Sequence, residues 1–371
     1  MNDLISAKHI AIYLPSLGGG GAERVTVMLA NGFAARGHRV DLVLPSAQGP
    51  YRDKVSAQVK IVDLEKKRVF ASIGAFAAYL KREKPDAVIS AMAHANIAAL
   101  MAIKIAHSRA KSIVVEHTSS AFSDAKSYMV HLLRKFLYKR ADKIVCVSKG
   151  MQEQIASLVG ARPEQICTIY NPLDVEYIKR RSQEPVNSEL IGERNVPLIV
   201  AAGRLTRAKD YPTLLKAFAI ARSRKDMRLL ILGEGEERER LERMAQELGI
   251  GHDVIFAGFQ ENPFAWMARC DLYVMSSAWE GLPGALLEAM ACGAKIVSTD
   301  CRTGPNEILE GGKWGRLVPV GDAPELARAM IEALDDDIRP PNVLSRANDF
   351  RLDKSINQYR LILDRAFINY S

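Results

Sequence analysis

Cysteine is scarce in this 371-residue chain and poorly spaced for the two jobs that need it. Five cysteines (Cys146, Cys167, Cys270, Cys292 and Cys301) leave one over from any pairing, and no two form a CxxC. A disulfide framework and a zinc ribbon are excluded, and free thiols in a reducing cytoplasm are expected. The seven histidines are not grouped at ligand spacing either. No apolar run is long enough to span a bilayer. The first apolar stretch stops at Pro15, too short for a secretory signal, so the expected location is cytoplasmic. Aromatics are 7% of the chain, and none interleaves with basic residues as a stacking platform, so no nucleic acid is expected as a partner. No short repeat period and no complete GxGxxG occur. The one Asp-x-Asp, Asp335–Asp337, lies in ALDDDIRPP, where Pro340 and Pro341 mark a surface loop rather than a metal-binding strand end.

What is present is alternation. Residues 371 in number are long for one core, and two domains of ordinary size are the prior. HIAIYLPSL is an apolar strand running into Gly18–Gly21 and then a helical pattern, the opening of a doubly wound α/β domain. Strands follow at 38–45, 59–64, 86–91, 112–120, 143–148 and 166–174, with helices between. A polar stretch over 176–195 reads as a linker with a loose helix. The pattern then restarts with strands at 197–205, 228–235, 254–259, 271–275 and 294–299. The boundaries are therefore a domain over 1–175, a linker over 176–195 and a second domain over 196–352, with an amphipathic helix at 353–367.

Charge is uneven. Residues 1–180 hold 26 basic against 15 acidic side chains, a net of +11, and residues 181–371 hold 25 against 28, a net of −3. The basic half should face something anionic: a membrane surface, a lipid phosphate or, were the stacking aromatics present, nucleic acid. Tyr128–Arg140 is amphipathic: Met129, Leu132, Leu133, Phe136 and Leu137 share one face, and His131, Arg134, Lys135, Tyr138 and Lys139 the other. Such a helix either docks its apolar face on a core or lies at a membrane interface.

The chemistry concentrates between Ser276 and Ile308. A strand delivers Ser276, Ser277, Trp279 and Glu280 to a turn, and Pro283 fits the first position of a helix that ends at Gly293. Glu288 lies on that helix and leans back toward the turn. Between the two acids the first-turn amides, up to Leu286 and Leu287, point outward with the positive end of the helix dipole, a place for a phosphate with hydroxyls on either side. Either acid alone could be dipole electrostatics or solvated surface. A carboxylate on an otherwise apolar helix, however, needs partners. Arg204 and Lys209 leave another strand end together, as phosphate ligands or as a solvated pair. His117 ends a strand where open sheets place ligands, though a solvent-facing loop histidine would look the same.

GRLTRAKD, the LGEG turn and EGLPGALLE resemble the signatures of retaining glycosyltransferases of the GT-B fold, in the group with two glutamates seven residues apart that uses nucleotide-activated sugars. GGGGAER and MACGAKIVSTDCRTGPNEIL resemble members that build bacterial surface polysaccharides and lipid-linked oligosaccharides. The resemblance implies two Rossmann-like domains facing each other across a cleft, acceptor-side first and nucleotide-sugar-binding second, with the last helix crossing back over 353–371. It implies Arg204 and Lys209 on the donor diphosphate, Glu288 on ribose hydroxyls, and Glu280 on the transferred sugar. Amides near Leu286 and Leu287 would reach the phosphate, His117 would contact the donor sugar, Gly20 and Gly21 would approach the donor from the same side, and the nucleobase would lie near Phe259. The implied reaction moves a hexose or N-acetylhexosamine from a UDP-sugar to a glycan or polyprenyl-linked saccharide, with retention, no metal and no cofactor beyond the donor. A UDP-sugar epimerase of the same fold is the alternative.

Overall fold

The computed structural model describes residues 7–117, 125–191, 195–336 and 343–368. Two compact units divide the chain: Met1–Pro172 with Leu352–Ser371, and Leu173–Arg351.

The first unit is built on a seven-stranded parallel sheet of β1 (His9–Tyr13), β2 (Arg39–Leu44), β3 (Val59–Asp63), β4 (Ala87–Ala91), β5 (Lys111–Glu116), β6 (Lys143–Cys146) and β7 (Ile166–Thr168). Their order is β3-β2-β1-β4-β5-β6-β7. Ile10, Ala11, Ile12 and Tyr13 are all buried, the mark of a parallel strand covered on both faces. Two buried tyrosines are paired inside: Tyr13 shares a 2.6 Å hydrogen bond with Ser72, and the Tyr79 hydroxyl donates to Asp41 at 2.7 Å. The helix Leu352–Ile368 belongs to this unit; its Ile356 packs on Gly32, and its Ser355 hydroxyl donates to the Tyr170 carbonyl at 3.0 Å.

The second unit carries six parallel strands: β8 (Leu198–Ala202), β9 (Arg228–Leu232), β10 (Val254–Phe256), β11 (Leu272–Met275), β12 (Ile296–Thr299) and β13 (Arg316–Val318). Their order is β10-β9-β8-β11-β12-β13. Its core joins Ile199, Leu229, Ile231, Val274 and Val297 of the sheet to Leu214, Phe218, Leu326 and Met330 of flanking helices. The 176–195 stretch is not bare connection. Asp174 caps the helix Val175–Ser182 by accepting from the Tyr177 amide at 2.9 Å, and Ile178 is buried. Asn262 and Arg269 donate to the carbonyls of Arg181 and Ser182, which fastens the helix to the second unit.

Both sheets reverse direction once, so each has a switch point where the loops beyond two adjacent strands part and leave a crevice. It lies between β1 and β4 in the first sheet and between β8 and β11 in the second.

The helix Ala125–Leu137 departs from the amphipathic reading. Arg134 and Tyr138, assigned to its outer face, are buried, while Leu132 and Phe136 are exposed, Phe136 by 67%. The reason is Glu116 at the buried end of β5. Its carboxylate takes an ion pair from Arg134 at 3.2 Å and a hydrogen bond from the Tyr138 hydroxyl, and Asn96 donates to that hydroxyl at 2.9 Å. A buried carboxylate left without these partners would cost roughly 3–5 kcal/mol, whereas Leu132 at 38% and Phe136 at 67% exposure forgo only part of the roughly 1.5–3 kcal/mol that full burial brings each. Side chains over 125–129, Tyr128 and Met129 included, lie outside the described residues.

Candidate active site

In the second unit the loops beyond β8 and β11 meet at the switch point. After β8 come Gly203, Arg204 and the turn Arg207–Lys209; after β11 come Ser276 to Glu280. Ala278 N–H donates to the Ala208 carbonyl at 2.9 Å, and the Ser276 hydroxyl to the Lys209 carbonyl at 2.8 Å. These bonds set the two loops side by side, and the Lys209 ammonium is ion-paired with Glu280. Ser277 donates to the same carboxylate oxygen at 2.7 Å, and the Thr303 hydroxyl donates to the Glu280 carbonyl. Thr299 in turn donates to the Ser277 carbonyl at 2.7 Å. Glu280 is thus held by three side chains, two on its carboxylate and one on its carbonyl. Arg204, two residues beyond β8, is exposed, and among the described residues its side chain makes no ion pair.

Behind this pair the backbone is interlocked. Gly203 N–H donates to the Leu232 carbonyl at 3.0 Å, and Leu205 N–H to the Glu234 carbonyl at 2.9 Å. Gly233 has φ +147°, and a Cβ there would overlap the Gly203 carbonyl oxygen. Only glycine lets the two loops approach this closely.

The helix Gly284–Ala291 starts at the same sheet edge. Pro283 is its N-cap, with ψ 104°, one position before the first helical residue where the spacing had put it. Proline supplies no side-chain cap, so the first-turn amides up to Leu286 stay outside the intrahelical bonding and carry the positive end of the dipole. Gly293 takes a left-handed φ of +75° just beyond the helix. Leu286, Leu287 and Glu288 are all buried. Phe259, beyond β10 at the far end of the same edge, is 74% exposed. Cys301 neighbours the site, but burial, and then the charge of Glu280, push its thiol up to about 12, so it stays a neutral thiol at pH 7.

The structure therefore brings Lys209 and Glu280 into contact and sets Arg204, Phe259, Leu286, Leu287 and Glu288 along one sheet edge. Gly20, Gly21 and His117 stand on the corresponding edge of the first sheet. Gly20 is the N-cap of the helix Gly21–Ala34 that follows β1. A Cβ on Gly19 or Gly21 would meet nothing within 4 Å, so packing does not demand glycine there. His117 follows β5. Burial among Ile12, Leu29, Phe33 and Val115 lowers its pKa to about 4, and its Nδ1 has no hydrogen-bond partner among the described residues. The ring is neutral at pH 7. At the switch itself Met92 takes φ +79°, an unusual backbone for a side-chain-bearing residue.

Thr299 and Thr303 were missed by sequence reasoning, and Ser277 was placed in the turn without a role. Their only signal is small polar residues at apolar strand ends, which carries no spacing. Among the described residues no group of three His, Cys, Asp or Glu is placed to hold a metal ion. Asp335 and Asp336 pair with Lys225 and Arg316, and Asp337 lies outside the described residues.

Comparison with known proteins follows the division into units. The family model for Glycosyltransferase Family 4 matches residues 19–177, and that for Glycosyl transferases group 1 matches residues 187–349. An N-acetylgalactosamine-N,N'-diacetylbacillosaminyl-diphospho-undecaprenol 4-alpha-N-acetylgalactosaminyltransferase of Campylobacter jejuni is 26% identical over 351 residues, 89% of this chain and 91% of its own. A lipopolysaccharide core biosynthesis glycosyltransferase of Rhizobium meliloti is 27% identical over 338 residues, covering 89% of this chain and 90% of its own. Among solved structures, the Anabaena protein HepE in complex with UDP and glucose superposes with a TM-score of 0.79 at 22% identity, over 96% of this chain and all of that one.

Proposed function

The chain is a glycosyltransferase of the GT-B fold, and from that premise we propose that it moves a hexose or N-acetylhexosamine from a UDP-sugar to a glycan or lipid-linked saccharide, with retention of anomeric configuration and without a metal. The observation that carries this reading is the Lys209–Glu280 pair, held at the switch point beside the uncapped helix Gly284–Ala291. UDP as the donor nucleotide draws on the UDP complexes of the HepE protein, and a lipid-linked acceptor on the diphospho-undecaprenol substrate in the Campylobacter enzyme's name.

In the proposed reaction an acceptor hydroxyl oxygen attacks the anomeric carbon on the face the diphosphate leaves. The bond from that carbon to the phosphate oxygen breaks, and the hydroxyl proton passes to the departing phosphate. Negative charge grows on the diphosphate, where Arg204, Lys209 and the helix amides stabilise it more in the transition state than in the ground state. Glu280 orients hydroxyls of the transferred sugar; its bonds to Lys209 and Ser277 suit a positioned acceptor of hydrogen bonds better than a nucleophile. Glu288 holds the ribose, Phe259 the base, the role proposed for His117 is contact to the donor sugar, and Gly20 and Gly21 approach the donor from the same side. No observation favours the epimerase alternative. The test is incubation with UDP-, GDP- and ADP-sugars, with and without a saccharide acceptor. Acceptor-dependent release of UDP and an anomeric coupling constant matching the donor's support the proposal. An epimerised donor formed without acceptor refutes it, and so does an inverted product.

The exposed Leu132 and Phe136, flanked by exposed Lys135, Lys139 and Arg140, support peripheral contact of the first unit with anionic bilayers. Among the described residues no helix is long and apolar enough to cross a membrane. Sedimentation with anionic vesicles should be salt-sensitive and weakened by Phe136→Ser; equal binding to neutral vesicles, or none to either, refutes the contact.

A further inference from the structure

The first unit holds a cavity of about 500 Å³ at the C-terminal edge of its sheet that the donor chemistry does not use. Its wall takes Ser16 from beyond β1, Ser46 from beyond β2, Lys66, Lys67 and Arg68 from beyond β3, and His94 from beyond β4. Four strand ends therefore converge on it, and its volume is that of a small-molecule site.

Two features separate Lys66–Arg68 from an ordinary solvated charge run. First, the run is held in place. Asp63 accepts from the amides of Ala47 at 3.0 Å and Glu65 at 2.8 Å, Glu65 turns the chain with φ +56°, and Lys66 N–H donates to the Pro45 carbonyl at 2.7 Å. The opposite wall is held as well: Gly49, at φ +135°, lies so close to the Leu17 carbonyl that a Cβ would overlap it, and Tyr51 N–H donates to that carbonyl at 3.2 Å. Second, among the described residues none of the three cations has an acidic partner. The charged helix Arg238–Glu247 of the second unit shows the contrast, since its Arg238, Arg240 and Arg243 each pair with a glutamate within four residues. Three adjacent unpaired cations repel one another, and an anion in the cavity removes that cost. His94, whose pKa burial lowers, and two serine hydroxyls add neutral hydrogen-bonding groups.

We infer that this cavity binds the diphosphate of a phosphorylated acceptor through Lys66, Lys67 and Arg68. The word acceptor rests on the transferase reading above; the anion site itself does not. Phe70, lining the same cavity and 47% exposed, offers an apolar surface to whatever chain the diphosphate carries.

The test is calorimetric titration of the full chain, saturated with UDP, with inorganic pyrophosphate and separately with geranyl diphosphate. Wild type and Lys81→Gln/Lys104→Gln, which removes two surface cations of the same unit, should bind pyrophosphate alike. Lys66→Gln/Lys67→Gln/Arg68→Gln should bind it about tenfold or more weakly, while its UDP affinity stays that of wild type. Tighter binding of geranyl diphosphate than of pyrophosphate identifies a prenyl carrier; equal binding identifies a free phosphorylated saccharide. Equal pyrophosphate affinity in the triple variant and wild type overturns the inference, as does no binding by wild type at millimolar concentration. Absence of UDP binding would instead count against the transferase reading, and the triple variant would still report on the cavity.

Discussion

Each sheet ends in a glycine loop at its switch edge, yet the two loops are built on opposite terms. In the second unit Gly233 is required by the Gly203 carbonyl against it, and the key cation Lys209 already has its partner in Glu280. In the first unit Gly19 and Gly21 border open space, and Lys66, Lys67 and Arg68 line a cavity with no acidic partner among the described residues. On the proposed function the second edge is preorganised for one chemistry, stabilising a departing diphosphate, where reorganisation during reaction would lose rate. The first edge keeps space and charge for a ligand that has to fit around it. One architecture can thus hold its chemistry fixed on one sheet and leave recognition adjustable on the other.

The sharpest break in this comparison is Glu288→Gln. A buried carboxylate on an apolar helix is exchanged for an isostere, so the fold should survive, with circular dichroism unchanged. Turnover should fall by roughly 1,000-fold, about 4 kcal/mol of transition-state stabilisation. Near-normal turnover by the folded variant would remove Glu288 from the site.

Gly233→Ala tests whether the second edge is as rigid as it looks. Forcing a Cβ against the Gly203 carbonyl should cost about 3 kcal/mol or more in urea unfolding. Donor binding should weaken with it, since the loops bearing Arg204 and Lys209 must part. Unchanged stability would mean that the interlock is looser than its geometry.

His117 sharpens the first-unit side through pH. Its folded pKa of about 4 lies below the ordinary value near 6.5, so between those values the unfolded chain binds more protons. Stability from keeping the ring neutral is complete above pH 6.5 and drains away as pH falls toward 4. Wild type should lose about 2 kcal/mol between pH 7 and pH 5 on this account alone. His117→Gln should lose correspondingly less over the same range, measured by urea midpoints; identical pH dependence would contradict burial of the neutral ring.

Gly21→Ala carries the smallest effect on stability and inverts the Gly233 result. Alanine at a first helical position with open space should change stability by less than about 1 kcal/mol, in the favourable direction. The Michaelis constant for donor should nonetheless rise about tenfold, equivalent to about 1.4 kcal/mol, because the open space is reserved for ligand.

Much of the fold was legible because both sheets are parallel and buried, so their strands read as short apolar runs ended by glycine or proline. Glu280, Lys209 and the helix after Pro283 were legible because strand-end charges next to a helix start have a spacing. Three things were hidden. Ser277 and Thr303 grip Glu280 through single hydroxyls, which leave no pattern. Arg134 and Tyr138 turn inward because of Glu116, eighteen or more residues away in sequence, and periodicity counts only apolar faces. Lys66–Arg68 looks like any charge run until the cavity and the missing acidic partners are seen.

The measurement that bears most directly on the division of labour is the shift of melting temperature with UDP concentration in three proteins: wild type, Lys209→Ala and Lys66→Gln/Lys67→Gln/Arg68→Gln. The account predicts that UDP stabilises wild type and the triple variant along the same curve, and that Lys209→Ala needs at least about tenfold more UDP for the same shift. Undiminished UDP affinity in Lys209→Ala, or its loss in the triple variant, would contradict the assignment of the donor diphosphate to the second unit.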